Sequence, residues 1–404
     1  RKHDPVSGVV SAPAQHRDAA RPERIERRLH CRDGLAAGVF HQHDRWKADV
    51  FNRPSIRLPH LLGVQYAHPV GAYCGYATVV NWSTIASMPL RGAVYVNGSI
   101  TPAEHAVVPV YDHGFLYGEG VYETLRTYNR VPFLFDRHAR RLRASADRLR
   151  LLVPFDNQAL AGWIQDTLLA AGELGEAYIR VLLTRGVGEL TYDIAATPAP
   201  SLVVIVKPLE QAPVRIERDG ITISLVPVLR NHPGSVNPII KSNNLLNNAI
   251  AMQEANQRGG EEALMCNYRG ELAECSQSNF FMVRAGVLLT PPSEAGLLEG
   301  ITRGFLFDLA REAGIEAREE TLYPADLETA DEVFITSTTR ELSPVVRIDD
   351  RVIGNGSPGP ITLDLLTRYR RYAWESTRPA PWVSRPPRAP SSRRTIGIRA
   401  PSPT

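Results

Sequence analysis

Two blocks of mixed strand and helix patterns constrain the fold of this chain more than any other feature of its sequence. The first block covers residues 92–208 and the second covers residues 220–374, with a proline-containing segment at 209–219 between them. In each block, apolar runs that alternate with period two are mixed with segments of helical spacing. This mixture predicts an α+β fold of two domains joined by a linker, with a binding site in the cleft between them.

The same patterns predict the individual elements. Strands are predicted at 93–98, 121–128, 178–184, 201–207, 221–228, 262–267, 279–284, 287–290 and 332–336. Helices are predicted at 135–152, 157–171, 244–258 and 301–313. Asn129-Arg130 predicts a turn directly after the second strand.

The two ends of the chain lack the patterns of a packed core. Residues 1–91 show no sustained period and hold seven of the eleven histidines, while residues 375–404 are rich in arginine and proline. Both compositions are typical of irregular or disordered segments. Because the first methionine, Met88, directly precedes the first strand pattern, we hypothesise that translation starts there and that the preceding residues are an upstream extension.

Composition argues against several classes of protein. The formal charge of +3 over 404 residues is small, which argues against nucleic-acid binding. No apolar run is long enough to predict a membrane-spanning helix. The cysteines show neither metal-ligand spacing nor a disulfide framework, so we expect a reducing, cytoplasmic location and no metal site. The four cysteines are Cys31, Cys74, Cys266 and Cys275.

Lys241 and Glu274 form a pair with a recognisable chemistry. Lys241 lies in the stretch at 240–246, and we expect it in an apolar strand, where a desolvated lysine can lose its proton and attack a carbonyl. Glu274 follows 33 residues later (274 − 241), and a carboxylate there can keep the ring nitrogen of pyridoxal phosphate protonated. Either residue alone is more typical of an exposed surface, but together they suggest an electron sink for amino-group chemistry.

Several ordered motifs around this pair resemble those of the class IV aminotransferases. The run at 111–123, YDHGFLYGEGVYE, resembles the opening signature of that family. The resemblance spans residues 92 to 373 and continues through the motifs at 138–142, 240–242, Glu274, 298–303 and 336–341. It implies a fold type IV architecture, with a small α/β N-terminal domain, a larger pseudo-barrel C-terminal domain and pyridoxal 5′-phosphate in the cleft. It also implies a homodimer in which loops of one subunit close the site of the other.

The resemblance assigns roles to the residues of a cofactor site. Lys241 forms a Schiff base with pyridoxal phosphate and moves the proton of the substrate Cα, while Glu274 pairs with the pyridinium nitrogen. Arg141 contacts the phosphate together with the helix start at Ile301 and Thr302, where free backbone N–H groups favour an anion. The further cofactor contacts are one residue against the ring and one at the phosphate, Leu298 and Thr338.

Substrate-binding residues follow from the same resemblance. Tyr122 matches an aromatic residue of the active-site wall, and Arg126 lies four residues on, which in a strand places both side chains on one face. Tyr178 and Arg180 resemble a pair found in branched-chain enzymes, whose tyrosine helps to bind the substrate carboxylate. The backbone amide of Thr339 is a further candidate for binding that carboxylate. Arg126 or Arg180 could receive the side-chain carboxylate of glutamate.

The sequence departs from the family pattern at three places. Cys275 stands where the family commonly has glycine, and Val181 stands where proline often follows the tyrosine and arginine pair. In the last motif, Thr338-Thr339-Arg340 replaces a Thr-Ala-Ala sequence that is common in branched-chain enzymes. We expect Cys275 to leave the chemistry unchanged, whereas Thr338-Thr339-Arg340 weakens the resemblance to branched-chain enzymes.

The choice of substrate stays open between members of the family. The Tyr178-Ile179-Arg180 sequence favours a branched-chain L-amino acid as donor, with a 2-oxo acid such as 2-oxoglutarate as acceptor. The Asn244-Leu245-Leu246 sequence favours a D-amino-acid aminotransferase instead, because many branched-chain enzymes have a tyrosine there. An aminodeoxychorismate lyase shares the general motifs. An inactive, family-like binding protein is the alternative outside enzymes, and the presence of Lys241, Glu274 and Arg141 argues against it.

Overall fold

The computed structural model describes residues 90–378 of the chain. The predictions for residues 1–89 and 379–404, including the translation start at Met88, lie outside this part. Seven α-helices and fifteen strands follow one another within it, so the α+β class is confirmed. Among these helices, none combines the length and the apolar content that crossing a membrane requires.

The strands form two sheets and are numbered along the chain. They are β1 (Ala93–Val96), β2 (Ser99–Pro102), β3 (Gly120–Tyr128), β4 (Val131–Pro132), β5 (Ala177–Thr184), β6 (Ser201–Pro208), β7 (Ile221–Val226), β8 (Ala263–Cys266), β9 (Leu272–Cys275), β10 (Asn279–Arg284), β11 (Val287–Thr290), β12 (Ala317–Glu319), β13 (Glu332–Ser337), β14 (Glu341–Ile348) and β15 (Arg351–Val352). The first sheet has the order β2-β1-β6-β5-β3-β4, and all its neighbouring strands are antiparallel. Its strands come only from the first predicted block.

The helices pack on the faces of these sheets. They are α1 (His113–Leu116), α2 (Phe135–Arg148), α3 (Asn157–Ala170), α4 (Val214–Asp219), α5 (Leu246–Gln257), α6 (Ile301–Glu312) and α7 (Pro360–Ser376). Helices α2 and α3 cover the first sheet because their apolar faces bury Leu142 and Ile164 against Ile179 and Val204. This packing fixes the face of α2 that carries Arg141, the predicted phosphate contact.

The second sheet is larger and contains the remaining strands. Its order is β12-β11-β10-β13-β14-β7-β8-β9, with β15 paired to β14. Strand β9 at the end of this order also lies close to β10, so the sheet curls into a half-barrel. Side chains along β10 alternate between two cores: Phe280 and Met282 face one, while Phe281 and Val283 face the core under α6 and α7. This alternation is typical of a sheet that is covered on both faces.

Several element boundaries differ from the predictions. Helix α2 ends at Arg148 rather than at 152, because Arg150 takes a left-handed φ of 51°. The predicted linker at 209–219 contains the short helix α4. Helix α7 extends to Ser376, so residues 375 and 376, which were predicted as the start of the tail, are helical, and the Thr377 hydroxyl donates to the Ala373 carbonyl oxygen at 2.6 Å. The division into two domains stays a prediction.

Candidate active site

A cavity of about 520 Å³ is lined by elements from both sheets. Strands β3 and β5 line it together with Arg141 of α2. The other lining residues come from the segment between β7 and α5, from α5, from the end of β9 and the residues after it, from the start of α6, and from the end of β13 and the turn after it. The predicted site residues that line it are Tyr122, Arg141, Tyr178, Arg180, Lys241, Glu274, Leu298, Ile301, Thr302, Thr338 and Thr339. Residues that are distant in the sequence therefore meet around one space.

Lys241 lies in an irregular segment before α5, and not in the strand that its apolar neighbours predict. A turn forms there instead, in which the Ile240 N–H donates to the Asn237 carbonyl oxygen at 3.0 Å. The backbone of Lys241 is nevertheless fixed, since its N–H donates to Ser145 Oγ at 3.2 Å and its carbonyl oxygen accepts from the Tyr122 N–H at 2.9 Å. Its Nζ lies 4.4 Å from the centroid of the Tyr122 ring.

Glu274 is buried on β9 and all its partners are polar. Its Oε1 accepts from Arg230 Nε at 2.8 Å, and its Oε2 accepts from Asn279 Nδ2 at 3.2 Å and from the Leu298 N–H at 3.1 Å. Arg230 thus balances the charge of a buried carboxylate. Arg230 was not predicted from the sequence, because no periodicity marks a residue in the irregular segment after β7.

Arg141 is held by a buried carboxylate, Glu123 of β3. Its Nε and Nη2 donate to the two Glu123 oxygens at 2.7 and 2.8 Å, while His138 Nδ1 lies 2.7 Å from Glu123 Oε2. Burial would raise the pKa of Glu123, but the charge of Arg141 and the hydrogen bonds from Arg141 and His138 outweigh it and lower this pKa to about 2. Burial lowers the pKa of His138, although the charge of Glu123 and the hydrogen bond with it oppose this shift.

The start of α6 lies beside Arg141. Arg141 Nη1 donates to the Glu299 carbonyl oxygen at 2.8 Å, and Gly300 caps the helix that begins at Ile301. The first N–H groups of a helix have no partner within the helix, and its dipole favours an anion there. Together with the hydroxyl of Thr338, these groups provide donors for a phosphate on the same cavity that exposes Lys241.

The Tyr122 ring contacts two cations of the cavity, Lys241 and Arg180. The Arg180 guanidinium is 4.1 Å from the centroid of its ring, at a distance similar to that of Lys241 Nζ. Tyr178 and Arg180 alternate with buried residues along β5, so both side chains face the cavity. This surface combines aromatic rings with a guanidinium, which suits a substrate that carries a carboxylate.

Arg126 is the one predicted site residue that is not among those lining the cavity. Its side chain is buried, with Nη1 3.0 Å from Glu341 Oε1 and its guanidinium carbon 4.2 Å from the centroid of the Tyr128 ring. The shared face of Tyr122 and Arg126 was a valid expectation for a strand, but the far end of that face is covered by Glu341. Arg126 is thus a buried partner of Glu341, and its role in substrate binding stays a prediction.

Comparison with known proteins gives a consistent picture. The family model described as amino-transferase class IV matches residues 120–348, which is more than half of the chain. A putative branched-chain-amino-acid aminotransferase of Methanocaldococcus jannaschii is 40% identical over 277 residues, covering 69% of this chain and 95% of that protein. A D-alanine aminotransferase of Listeria innocua is 36% identical over 279 residues, covering 67% and 93%.

Solved structures agree with the sequence comparisons. A branched-chain aminotransferase from the thermophilic archaeon Thermoproteus uzoniensis, solved with norvaline, superimposes with a TM-score of 0.66 at 32% identity. The match covers 71% of this chain and 96% of that one. The sequence motifs, the two sheets and these relatives all lead to one conclusion: the chain belongs to the class IV aminotransferase family.

Proposed function

We propose that this aminotransferase moves the amino group of a branched-chain L-amino acid to a 2-oxo acid such as 2-oxoglutarate, with pyridoxal 5′-phosphate held covalently by Lys241. The observation that carries the proposal is the presence of Lys241, Glu274 and Arg141 around one cavity, together with the start of α6. An amine, a carboxylate and a phosphate-binding helix start are the groups that this cofactor requires.

The residues of the cavity fit the cofactor group by group. Pyridoxal phosphate, when bound, supplies an electron sink that weakens the Cα–H bond of an amino acid. Lys241 Nζ anchors the cofactor and then takes the proton from the substrate Cα. Glu274, which Arg230 holds in place, accepts a hydrogen bond from a ring nitrogen. Arg141 and the α6 N–H groups bind the phosphate, and the Leu298 side chain gives the ring an apolar contact.

The substrate carboxylate is proposed to bind between strand β5 and the turn after β13. Tyr178 and Arg180 supply a hydroxyl and a guanidinium on one side, and the backbone amide of Thr339 supplies a donor on the other. The Tyr122 ring then keeps Lys241 close to the substrate Cα through its contact with Nζ. These contacts orient the Cα–H bond towards the amine that removes its proton.

A D-amino-acid aminotransferase is the second candidate. Leu245 lines the cavity in the segment where many branched-chain enzymes have a tyrosine, and a D-alanine aminotransferase is among the relatives. An aliphatic side chain there leaves more room and removes a hydroxyl from the cavity wall. Both changes are compatible with a donor of the opposite hand.

A stereospecific donor panel tests the proposal. Purified protein is assayed with L-leucine, L-valine, D-alanine and D-glutamate, with 2-oxoglutarate as acceptor for the first three and pyruvate for the last. We expect turnover of the two L-amino acids and a yellow absorbance band that borohydride removes. Turnover of D-alanine without L-leucine would favour the second candidate, and a colourless protein without turnover would overturn both.

We also propose that the enzyme is a homodimer, as its family resemblance implies. Two groups of exposed apolar side chains support this, one around α1 and one after β5, with Phe115 at 72% and Tyr192 at 82% exposure. Sedimentation velocity at micromolar concentration should give the mass of two chains. An active species with the mass of one chain would contradict the proposal. The cytoplasmic location stays a prediction.

A further inference from the structure

Arg340 places an additional cation on the cavity of this chain. It ends the turn between β13 and β14, directly after Thr338 and Thr339, and its side chain is 28% exposed. The sequence departs from the common Thr-Ala-Ala pattern at this residue, so the cation replaces a methyl group. Because Arg340 lines the same cavity as Lys241, it is in a position to act on the substrate.

A buried carboxylate holds Arg340 in place. Glu262 is 0% exposed, and its Oε2 lies 3.2 Å from Arg340 Nη2. The other oxygen, Oε1, accepts from the Gln277 N–H at 3.1 Å and from the Ser276 hydroxyl. The guanidinium is therefore tied to the segment that follows Glu274, and it does not move freely like a surface side chain.

Arg340 keeps more of its hydrogen-bond donors free of the described residues than Arg141 and Arg230 do. Arg141 donates through three nitrogens to Glu123 and Glu299, and Arg230 donates through two to Glu274 and Asn247. Within residues 90–378, the acidic partner of the Arg340 side chain is Glu262, reached through one nitrogen. A guanidinium has five N–H donors in a rigid fork, so the remaining donors can bind a carboxylate.

The charges around the cavity favour a substrate with two carboxylates. The charged residues that line it are Arg141, Arg180, Arg230, Lys241, Glu274 and Arg340. Two of these cations, Arg180 on β5 and Arg340 on the turn, keep most of their guanidinium N–H groups free of the residues that the structure describes. They approach the cavity from different elements, so each is available to one end of a dicarboxylate.

We propose that Arg340, oriented by Glu262, binds the side-chain carboxylate of a dicarboxylic amino or 2-oxo acid. This inference rests on the proposed aminotransferase function and names the residue that recognises the acidic partner of the reaction. Arg340 then sets a preference for the acidic substrate and contributes little to the binding of a branched-chain one. The amide side chains of Asn248 and Gln277 line the same cavity and give the distal carboxylate further donors.

Binding of two unreactive acids tests the proposal. Glutarate and pentanoate have the same chain length but carry two carboxylates and one, respectively. Isothermal titration calorimetry of the full-length holoenzyme should give tighter binding of glutarate. Arg340→Met should weaken the binding of glutarate by about 10-fold to 100-fold, which corresponds to the loss of a hydrogen bond to a charged group. The affinity for pentanoate should stay unchanged. Arg340→Lys keeps the charge without the fork and should give an intermediate loss.

A matched control separates this effect from a general loss of positive charge. Arg258 follows α5, pairs with Glu254 at 2.8 Å and does not line the cavity, so Arg258→Met should leave both affinities unchanged. Equal weakening of both acids by Arg340→Met, or weakening of neither, would overturn the role of Arg340. If Arg340→Met does not fold, Arg340→Lys provides the test. A glutarate affinity in Arg340→Lys equal to that of the wild type would overturn the proposed binding of the carboxylate by the guanidinium of Arg340.

A second readout distinguishes failure of this inference from failure of the proposed function. Relative to wild-type enzyme, kcat/KM for L-glutamate should fall about 10-fold or more on Arg340→Met, while kcat/KM for L-leucine stays within about 2-fold. A missing borohydride-sensitive absorbance band would overturn the aminotransferase proposal. The preference for glutarate over pentanoate is still measurable on that protein, so it decides the role of Arg340 separately.

Discussion

Two sets of arginines face the same cavity and differ in how the fold uses them. Arg141 and Arg230, the cofactor set, are each held by hydrogen bonds to a buried carboxylate, Glu123 and Glu274 respectively. Arg180 and Arg340, the substrate set, keep most of their donors free of the described residues. A ligand that stays bound through many turnovers benefits from a rigid, preorganised site, whereas a substrate must bind and leave.

Breaking a contact should reduce the stability of the protein more in the cofactor set than in the substrate set. Glu123 is fully buried, and a buried carboxylate is stable there only while Arg141 and His138 bond to it. Loss of one partner leaves an uncompensated buried charge. By contrast, Arg180 contacts the Tyr122 ring and has no acidic partner within residues 90–378, so its loss leaves no buried anion behind. Substitutions in the two sets should therefore affect different measurements.

Lys241→Ala should have the largest effect on activity, because the Lys241 amine is proposed both to bind the cofactor and to remove the proton from the substrate Cα. We expect transamination to fall by at least about 10³-fold through loss of the proton-transferring group, and the borohydride-sensitive band to disappear. The measurements are steady-state turnover and absorbance before and after reduction. Arg258→Ala is the control, since Arg258 pairs with Glu254 at 2.8 Å and does not line the cavity. Retention of the band in Lys241→Ala would place the covalent link elsewhere.

Glu123→Gln should have the largest effect on stability. Breaking a buried ion pair and leaving Arg141 without its carboxylate should lower the free energy of unfolding by about 3–5 kcal/mol, measured by urea denaturation. Glu173→Gln is the matched control, because Glu173 forms an exposed pair with Arg130 at 3.0 Å and such pairs contribute about 1 kcal/mol or less. Similar losses in both variants would contradict the contrast between buried and exposed pairs.

Arg126→Met and Arg180→Met should give opposite results. Arg126 bonds to buried Glu341, so its loss should cost about 1.5–3 kcal/mol of stability. Arg370 still donates to Glu341 at 2.7 Å, which limits the damage. Arg180→Met should leave stability within about 0.5 kcal/mol and lower kcat/KM by about 10-fold to 100-fold. A selective loss of kcat/KM in Arg126→Met, with unchanged stability, would return Arg126 to the substrate site.

The sequence predicted what its local patterns and motifs encode. Period-two alternation located β3 and β5, and helical spacing located α2 and α6, because these patterns follow directly from backbone geometry. The motif residues Lys241, Glu274 and Arg141 do line one cavity. Neither β14 nor α7 was predicted, although both are part of the core that covers the second sheet.

The local sequence patterns could not predict contacts between residues that are distant in the sequence. Arg230 reaches Glu274 from 44 residues away, and Glu262 reaches Arg340 across the second sheet. No spacing rule links such residues, since tertiary packing alone brings them together. The contact that buries Arg126 is of the same kind: the strand period predicts the face of this residue, but its partner Glu341 lies 215 residues along the chain.

The pH dependence of stability should separate the two carboxylates that hold the arginines. The pKa of Glu123 is lowered from 4.5 to about 2, so its contribution is present above pH 4.5 and is lost as the pH falls towards 2. Burial raises the pKa of Glu262 above 4.5, although Arg340 opposes this. The contribution of Glu262 to the free energy of unfolding is therefore present at lower pH and is lost as the pH rises through the raised value.

We expect the stability advantage of wild type over Glu123→Gln to shrink on acidification, and its advantage over Glu262→Gln to grow. Each slope is at most about 1.4 kcal/mol per pH unit, the value for one proton, and urea denaturation between about pH 3 and pH 7 measures it. Slopes of the same sign in both variants would mean that the charge of Arg340 outweighs burial at Glu262, as the charge of Arg141 does at Glu123.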